Sequence, residues 1–161
     1  MAKGRSKSSK SLVIYSDIHC GSTTAVCSDD PVISDQDTRY TPNNLQKALY
    51  EIWLECIDDL IQKPNVKVIN GEPIDGANRK NLGNQSFSTN TMDQLNEAAK
   101  LVKMIPGDDT YIVRGSNYHV QVEGTPYEET FAKLVNAKPY RAFGGGFTDE
   151  TGKSDYYLLG Q

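Results

Sequence analysis

The feature that most constrains the fold is a run of strand-forming residues that recurs three times, each time followed by a polar cluster. The runs span 12–15, 66–69 and 110–113, and the clusters that follow them begin at Asp17, Gly71 and Gly115. Segments with helical apolar spacing separate the runs. This alternation predicts right-handed βαβ crossovers and a mainly parallel sheet, so the expected fold class is α/β. Ligand sites form at the carboxyl ends of parallel strands, and the three clusters are therefore expected to meet.

Three segments are predicted to be helices. Thr41 as N-cap and Pro42 at the first helical position predict the start of the first, and its apolar face comprises Leu45, Leu49, Ile52, Trp53, Cys56, Ile57 and Leu60. The second is predicted over 91–104 with its inward positions at Leu95, Ala98, Ala99 and Val102. The third is predicted from Thr125 to about Asn136. A hairpin is predicted to join 147–148 to 156–159.

Composition narrows the class of protein. The chain has 161 residues, a net charge of −4 and three cysteines, which fit one domain over 11–161 after a disordered basic tail at 1–10. The negative charge argues against a surface that coats nucleic acid. The cysteines show no CxxC spacing and favour reduced thiols, so the expected location is cytoplasmic. No apolar stretch is long enough to span a bilayer, and no membrane partner is expected.

The polar clusters carry ligand and acid–base chemistry. Alternate residues of extended backbone point to one side, so Asp17 and His19 can turn toward one cation. A carboxylate with an imidazole suits Mn²⁺, Fe or Zn²⁺ better than Ca²⁺ or Mg²⁺. Glu72, at the neighbouring strand end, can bridge two cations. His119 is a candidate general acid oriented by Asp75, although Asp75 is equally open to interpretation as a turn residue.

The motifs resemble those of a known family. Asp17-Ile18-His19, Gly71-Glu72-Pro73-Ile74-Asp75 and Gly115-Ser116-Asn117-Tyr118-His119 are similar to the DxH, GDxxD and GNH motifs of calcineurin-like metallophosphoesterases. More narrowly, the segments 16–22 and 114–120 resemble phage-type phosphoesterases. The resemblance spans about residues 11 to 160. It implies half of a four-layer α/β/β/α sandwich, with a location in the host-cell cytoplasm if the protein is phage-encoded.

The resemblance also implies an activity and a role for each site residue. The expected enzyme is a hydrolase, a phosphatase or nuclease, that cleaves phosphomonoesters or phosphodiesters by attack of metal-bound hydroxide. Asp17 and His19 would bind the first of two divalent transition metals (Mn, Fe or Zn). Glu72 would bridge the pair, Asp75 would orient His119, and His119 would protonate the leaving oxygen. The expected partner is a phosphate-ester substrate, with nucleotides and nucleic acids among the candidates.

The sequence departs from the family pattern at several points. Glu72 stands where the family has Asp, and two residues separate Ser116 from His119, which leaves Asn117 and Ser116 as alternatives for the remaining ligand. The family has further histidine ligands beyond the third motif, and this chain has none there. We therefore expect a C-terminally incomplete domain with a weak second metal site and low activity, for which a separate C-terminal half is a candidate partner. The alternative is a non-catalytic binding or assembly module.

Overall fold

The computed structural model describes residues 11–33, 37–60, 64, 66–76, 84–113, 115, 121–122 and 125–138. The strands are β1 (Leu12–Ser16), β2 (Val32–Ile33), β3 (Arg39–Tyr40), β4 (Val66–Asn70), β5 (Asp109–Val113), β6 (Gln121–Val122) and β7 (Thr125–Pro126). The helices are α1 (Asn44–Asp58), α2 (Thr91–Met104) and α3 (Tyr127–Leu134). The basic tail, the Gly144–Gly146 segment and the hairpin predicted at 147–159 lie outside the described residues.

A parallel sheet of three strands organises this part of the chain. Its order is β1-β4-β5, and in its register Ser16 pairs with Asn70, which pairs with Val113. The three strands therefore end level with one another, as the clusters after them require. The mixed α/β class and the parallel sheet are confirmed. Two short antiparallel ribbons, β2-β3 and β6-β7, lie outside this sheet.

Helix α2 contributes more residues to the buried core than any other described element. Its predicted bounds are confirmed, and the side chain of Asn90 caps its first turn by accepting from the Met92 N–H. The predicted inward residues are buried and meet Phe131 of α3 in one cluster with Ile69 and Ile112 of the sheet. Lys67 of β4 reaches the other end of α2, where its Nζ donates to the Ile105 carbonyl at 2.8 Å. A cation here satisfies helix carbonyls that have no partner within the helix.

Helix α1 begins later and is more exposed than its sequence predicted. Its N-cap is Asn43, not Thr41, because Asn43 and Gln46 form a reciprocal capping box, which satisfies two backbone donors at once. The apolar face is only partly covered: Leu45 and Ile52 are 51% and 54% exposed. Trp53 packs on Tyr15 of β1 with ring centroids 5.1 Å apart. One edge of the apolar face therefore remains open to solvent.

The start of α3 also differs from the prediction. Thr125 and Pro126 do not cap the helix but pair with Val122 and Gln121 as β7, and α3 begins at Tyr127. The helix ends at Leu134, and Asn136 then takes a left-handed conformation with φ 52°, which stops the helix. No helix in the described part of the chain is long and apolar enough to cross a membrane.

Candidate metal centre

Backbone hydrogen bonds join the loop after β1 to the loop after β4. The N–H of His19 donates to the Glu72 carbonyl at 3.0 Å, and the N–H of Cys20 donates to the Pro73 carbonyl at 3.0 Å. In the opposite direction, the Asp75 N–H donates to the Cys20 carbonyl at 2.9 Å. Pairing between these segments therefore resumes beyond the strand ends, and it fixes the first polar cluster beside the second.

Three of the candidate ligands have left-handed backbone. Asp17, His19 and Glu72 have φ values of 56°, 46° and 44°, which are uncommon for residues with a Cβ. Such residues cost about 1–3 kcal/mol each and cluster at functional sites, where the surrounding structure holds them in place. The prediction that extended backbone aligns Asp17 with His19 is therefore wrong. Two sharp turns at the sheet edge bring them together instead.

The side chains of these residues converge. His19 Nε2 lies 2.9 Å from Glu72 Oε2 and 3.8 Å from Asp17 Oδ1, and one ligand atom from each residue lies within 4.8 Å of the other two. Glu72 is mostly buried and Asp17 is exposed, with side-chain exposures of 15% and 63%. Two carboxylates and an imidazole form a donor set that fits a divalent transition metal. This group could hold a metal ion, with one flank open to solvent.

Asp75 lies on the other side of the same imidazole. Its Oδ1 is 3.6 Å from His19 Nδ1, and its side chain is only 10% exposed. A carboxylate facing the second nitrogen of a ligating histidine fixes the tautomer and orientation of the ring. The sequence predicted this residue as the partner of His119 and did not predict its proximity to His19. His119, Asn117 and Ser116 lie outside the described residues.

The third strand end also reaches this centre. The Gly71 N–H donates to the Val113 carbonyl at 3.1 Å, and Gly115 lies directly against Glu72. A Cβ added to Gly115 would lie 2.8 Å from the Glu72 backbone nitrogen and 2.9 Å from its Cγ, distances at which atoms overlap. The first residue of the third cluster is therefore packed against the candidate bridging ligand, and glycine is the residue that fits.

Gln94 is a supporting residue that sequence reasoning missed. It is fully buried on α2, and its Oε1 accepts from the Gly76 N–H at 2.9 Å. Its Nε2 donates to the carbonyls of Gly76 at 3.2 Å and Ser88 at 2.8 Å. Its side chain also fills the space that a Cβ on Gly21 would need. One amide thus holds the loop of Glu72 and packs against the loop of His19.

Cys20 and Cys27 lie near this region but are not suited to bind metal as thiolates. Both are fully buried. Burial, reinforced by the nearby Glu97 carboxylate, raises the pKa of Cys20 well above its usual range and raises the pKa of Cys27 to about 12. A thiol must lose its proton to bind metal strongly, so both act here as small core residues.

No protein-family model matches the chain, and no curated protein matches it significantly. The case for a function therefore rests on the site itself. The site offers a cation two carboxylates and an imidazole. The Asp75 carboxylate faces the other nitrogen of that imidazole, and backbone hydrogen bonds hold the two loops together at the sheet edge.

Proposed function

We propose that this chain is a metal-dependent phosphoesterase of the calcineurin-like type, a hydrolase of phosphomonoesters or phosphodiesters. The observation that carries the proposal is the convergence of Asp17, His19 and Glu72 at the carboxyl edge of a parallel sheet. Their left-handed backbone adds support, because strain of this kind is retained where a site needs a defined geometry. Structural turns at three neighbouring strand ends would not require this donor set.

Asp17, His19 and Glu72 would hold a divalent transition metal such as Mn²⁺, and Glu72 would be shared with a second. When bound, such ions stabilise charge on phosphoryl oxygens and lower the pKa of bound water. Asp75 would face Nδ1 of His19, 3.6 Å away, and favour the tautomer that leaves Nε2 available as the ligand atom. Each of these roles uses an atom whose position is described above.

His119 would protonate the leaving oxygen, and Asn117 or Ser116 would complete the second metal site. The position of Gly115 supports this assignment, since it lies against Glu72. Chain length keeps the Cα of His119 within about 14 Å of the Cα of Gly115, a separation compatible with this role. General-acid catalysis requires the imidazole to contact the leaving oxygen directly or through one water, and the His119→Ala variant below tests this.

The arrangement of layers supports the sandwich part of the proposal. Tyr15, Lys67 and Ile112 lie on the sheet face that contacts the helices. The opposite face of β1 carries Leu12 and Ile14, which are 54% and 49% exposed. Apolar side chains on this face are suited to a second layer, as in a four-layer α/β/β/α sandwich.

The test measures metal binding and hydrolysis separately. Calorimetric titration with Mn²⁺ should show binding by the wild type, and Asp17→Asn or His19→Ala should weaken it by more than about 100-fold, since loss of a supporting residue alone costs 10–100-fold. Asp37→Asn is the matched control because Asp37 is also an exposed aspartate with left-handed backbone. Unchanged affinity in the Asp17 and His19 variants would refute the metal centre.

Hydrolysis of bis(p-nitrophenyl) phosphate tests the catalytic part. We expect turnover that depends on Mn²⁺ and falls by a factor of about 10²–10⁴ in His119→Ala, the usual contribution of a general acid. Turnover unaffected by His119→Ala would remove its role. Mn²⁺ binding without any turnover would favour the alternative, a metal-binding module that is not an enzyme.

A further inference from the structure

A cleft of about 690 Å³ opens directly from the metal centre. Asp17, His19 and Asp75 line one end of it. From there it continues along α1, where the lining residues are Val26, Leu49, Ile52, Trp53 and Cys56. Its volume lies within the range of small-molecule sites, about 300–1,000 Å³, which combine apolar walls with a few polar groups.

The apolar end of the cleft is lined by aromatic and aliphatic residues together with Cys56. Trp53 packs on Tyr15, and both residues line the cleft. The indole Nε1 is buried, so the part of the ring that the cleft exposes is carbon. Ile52, 54% exposed, extends this surface. Ordered aromatic rings beside an aliphatic side chain favour a planar apolar ligand group, because rings stack in offset or tilted arrangements.

The charges in the cleft limit the size of the ligand. Among the described residues that line it there is no lysine or arginine. A polynucleotide would bring several phosphates into such a groove, and proteins neutralise those with basic side chains. The net charge of the chain is −4, which adds to this bias. The described lining of the cleft therefore fits a ligand with a single phosphoryl group and an apolar remainder.

We propose that the substrate of this site is a small phosphoester whose organic group is a planar aromatic ring. The phosphoryl group lies at the Asp17–His19 end, and the ring lies against Trp53 and Ile52. This inference rests on the proposed phosphoesterase function and adds a substrate class to it. It also gives a role to the apolar face of α1 that lies open beside the centre.

The single tryptophan of the chain lines the cleft, so its fluorescence reports binding without turnover. Phenylphosphonate, cyclohexylphosphonate and methylphosphonate serve as non-hydrolysable probes in the presence of Mn²⁺. We expect phenylphosphonate to bind at least about tenfold more tightly than methylphosphonate, because burial of a ring outweighs burial of a methyl group. Equal affinity of these two probes would overturn the proposal. Equal affinity of phenyl- and cyclohexylphosphonate would overturn its aromatic part.

Two exposed positions on α1 provide a matched pair of variants. Ile52→Ala should reduce the preference for phenylphosphonate about fourfold, since roughly one methylene-equivalent of contact is lost from this half-exposed side chain. Leu45→Ala should leave it unchanged, because Leu45 is equally exposed but does not line the cleft. Equal effects of the two substitutions would also overturn the proposal.

A calorimetric Mn²⁺ titration of the same sample separates the two possible failures. Normal Mn²⁺ binding without a preference for the phenyl probe would refute the substrate class and leave the proposed function intact. Absence of Mn²⁺ binding would refute the proposed function, and this inference with it.

Discussion

Gln94 provides the sharpest test of how the fold supports the metal centre. Its amide forms three hydrogen bonds to the backbone of Gly76 and Ser88, and Gly76 directly follows the loop that carries Glu72 and Asp75. Gln94→Met removes these bonds and keeps an unbranched side chain of similar length, so the packing against Gly21 is largely retained. We expect a folded protein with a less ordered metal centre.

The size of the effect follows from the groups left without partners. The buried Gly76 N–H loses its acceptor, and an unsatisfied buried donor costs about 1–3 kcal/mol. The two carbonyls lose a donor as well, but carbonyls with one partner missing are tolerated better than N–H groups. The free energy of unfolding should therefore fall by about 2–4 kcal/mol. That is less than the 5–15 kcal/mol typical of a domain.

The assay combines urea denaturation with Mn²⁺ titration, and Gln46→Met is the control. Gln46 is also a fully buried glutamine whose amide bonds to its surroundings, but its partners are Tyr40, Asn43 and Ser22. Both variants should lose stability, and Gln94→Met alone should weaken Mn²⁺ binding, by about 10–100-fold, as for other supporting residues. Equal Mn²⁺ affinity in the two variants would refute the anchoring role of Gln94.

Three further predictions concern other residues. Gly115→Ala places a Cβ 2.8 Å from the Glu72 nitrogen, so calorimetry should show Mn²⁺ binding weakened by about tenfold or more. Unchanged affinity would show that the segments of Gly115 and Glu72 move apart without disturbing the ligands. Exposed Cys56 should react with Ellman's reagent in the folded protein, whereas Cys20 and Cys27 should react only after denaturation, and rapid reaction of three thiols would contradict their burial. The pKa of Cys27 is raised to about 12, so the thiol's contribution to the free energy of unfolding should be complete below about pH 8.5 and decline as the pH rises from there toward 12. Urea denaturation across this pH range measures the free energy of unfolding. A free energy that does not fall would contradict the raised pKa.

The strands and α2 could be predicted because their signals are local. Runs of β-branched residues gave β1, β4 and β5, and apolar spacing gave α2 from Thr91 to Met104. Pro106 and Gly107 mark the end of that helix in the sequence, and the structure ends it just before them. The level ends of the three strands then follow from parallel pairing, so the meeting of the first two polar clusters with Gly115 could be predicted as well.

The supporting contacts could not be predicted in the same way. The inward positions of α2 were predicted from its apolar residues. Gln94 is polar, so its sequence position gave no indication that its amide is buried. The start of α1 depended on reciprocal hydrogen bonds between Asn43 and Gln46, while Thr41 followed by Pro42 offered a competing local pattern. Both errors concern side-chain hydrogen bonds, which depend on the three-dimensional position of the partner.

The backbone conformation of the ligands shows why such a site is hard to predict in detail. Left-handed backbone is uncommon for any residue with a Cβ; Asp17 and His19 belong to types that adopt it more often than most, and Glu72 does not. The conformation is imposed from outside, by hydrogen bonds such as that from the His19 N–H to the Glu72 carbonyl. Glycine at these positions would relieve the strain but supply no ligand atom. Asp17, His19 and Glu72 therefore lower the stability of the fold in exchange for ligand atoms held in fixed positions. That exchange favours a site that could hold a cation over two ordinary turns at the end of a sheet.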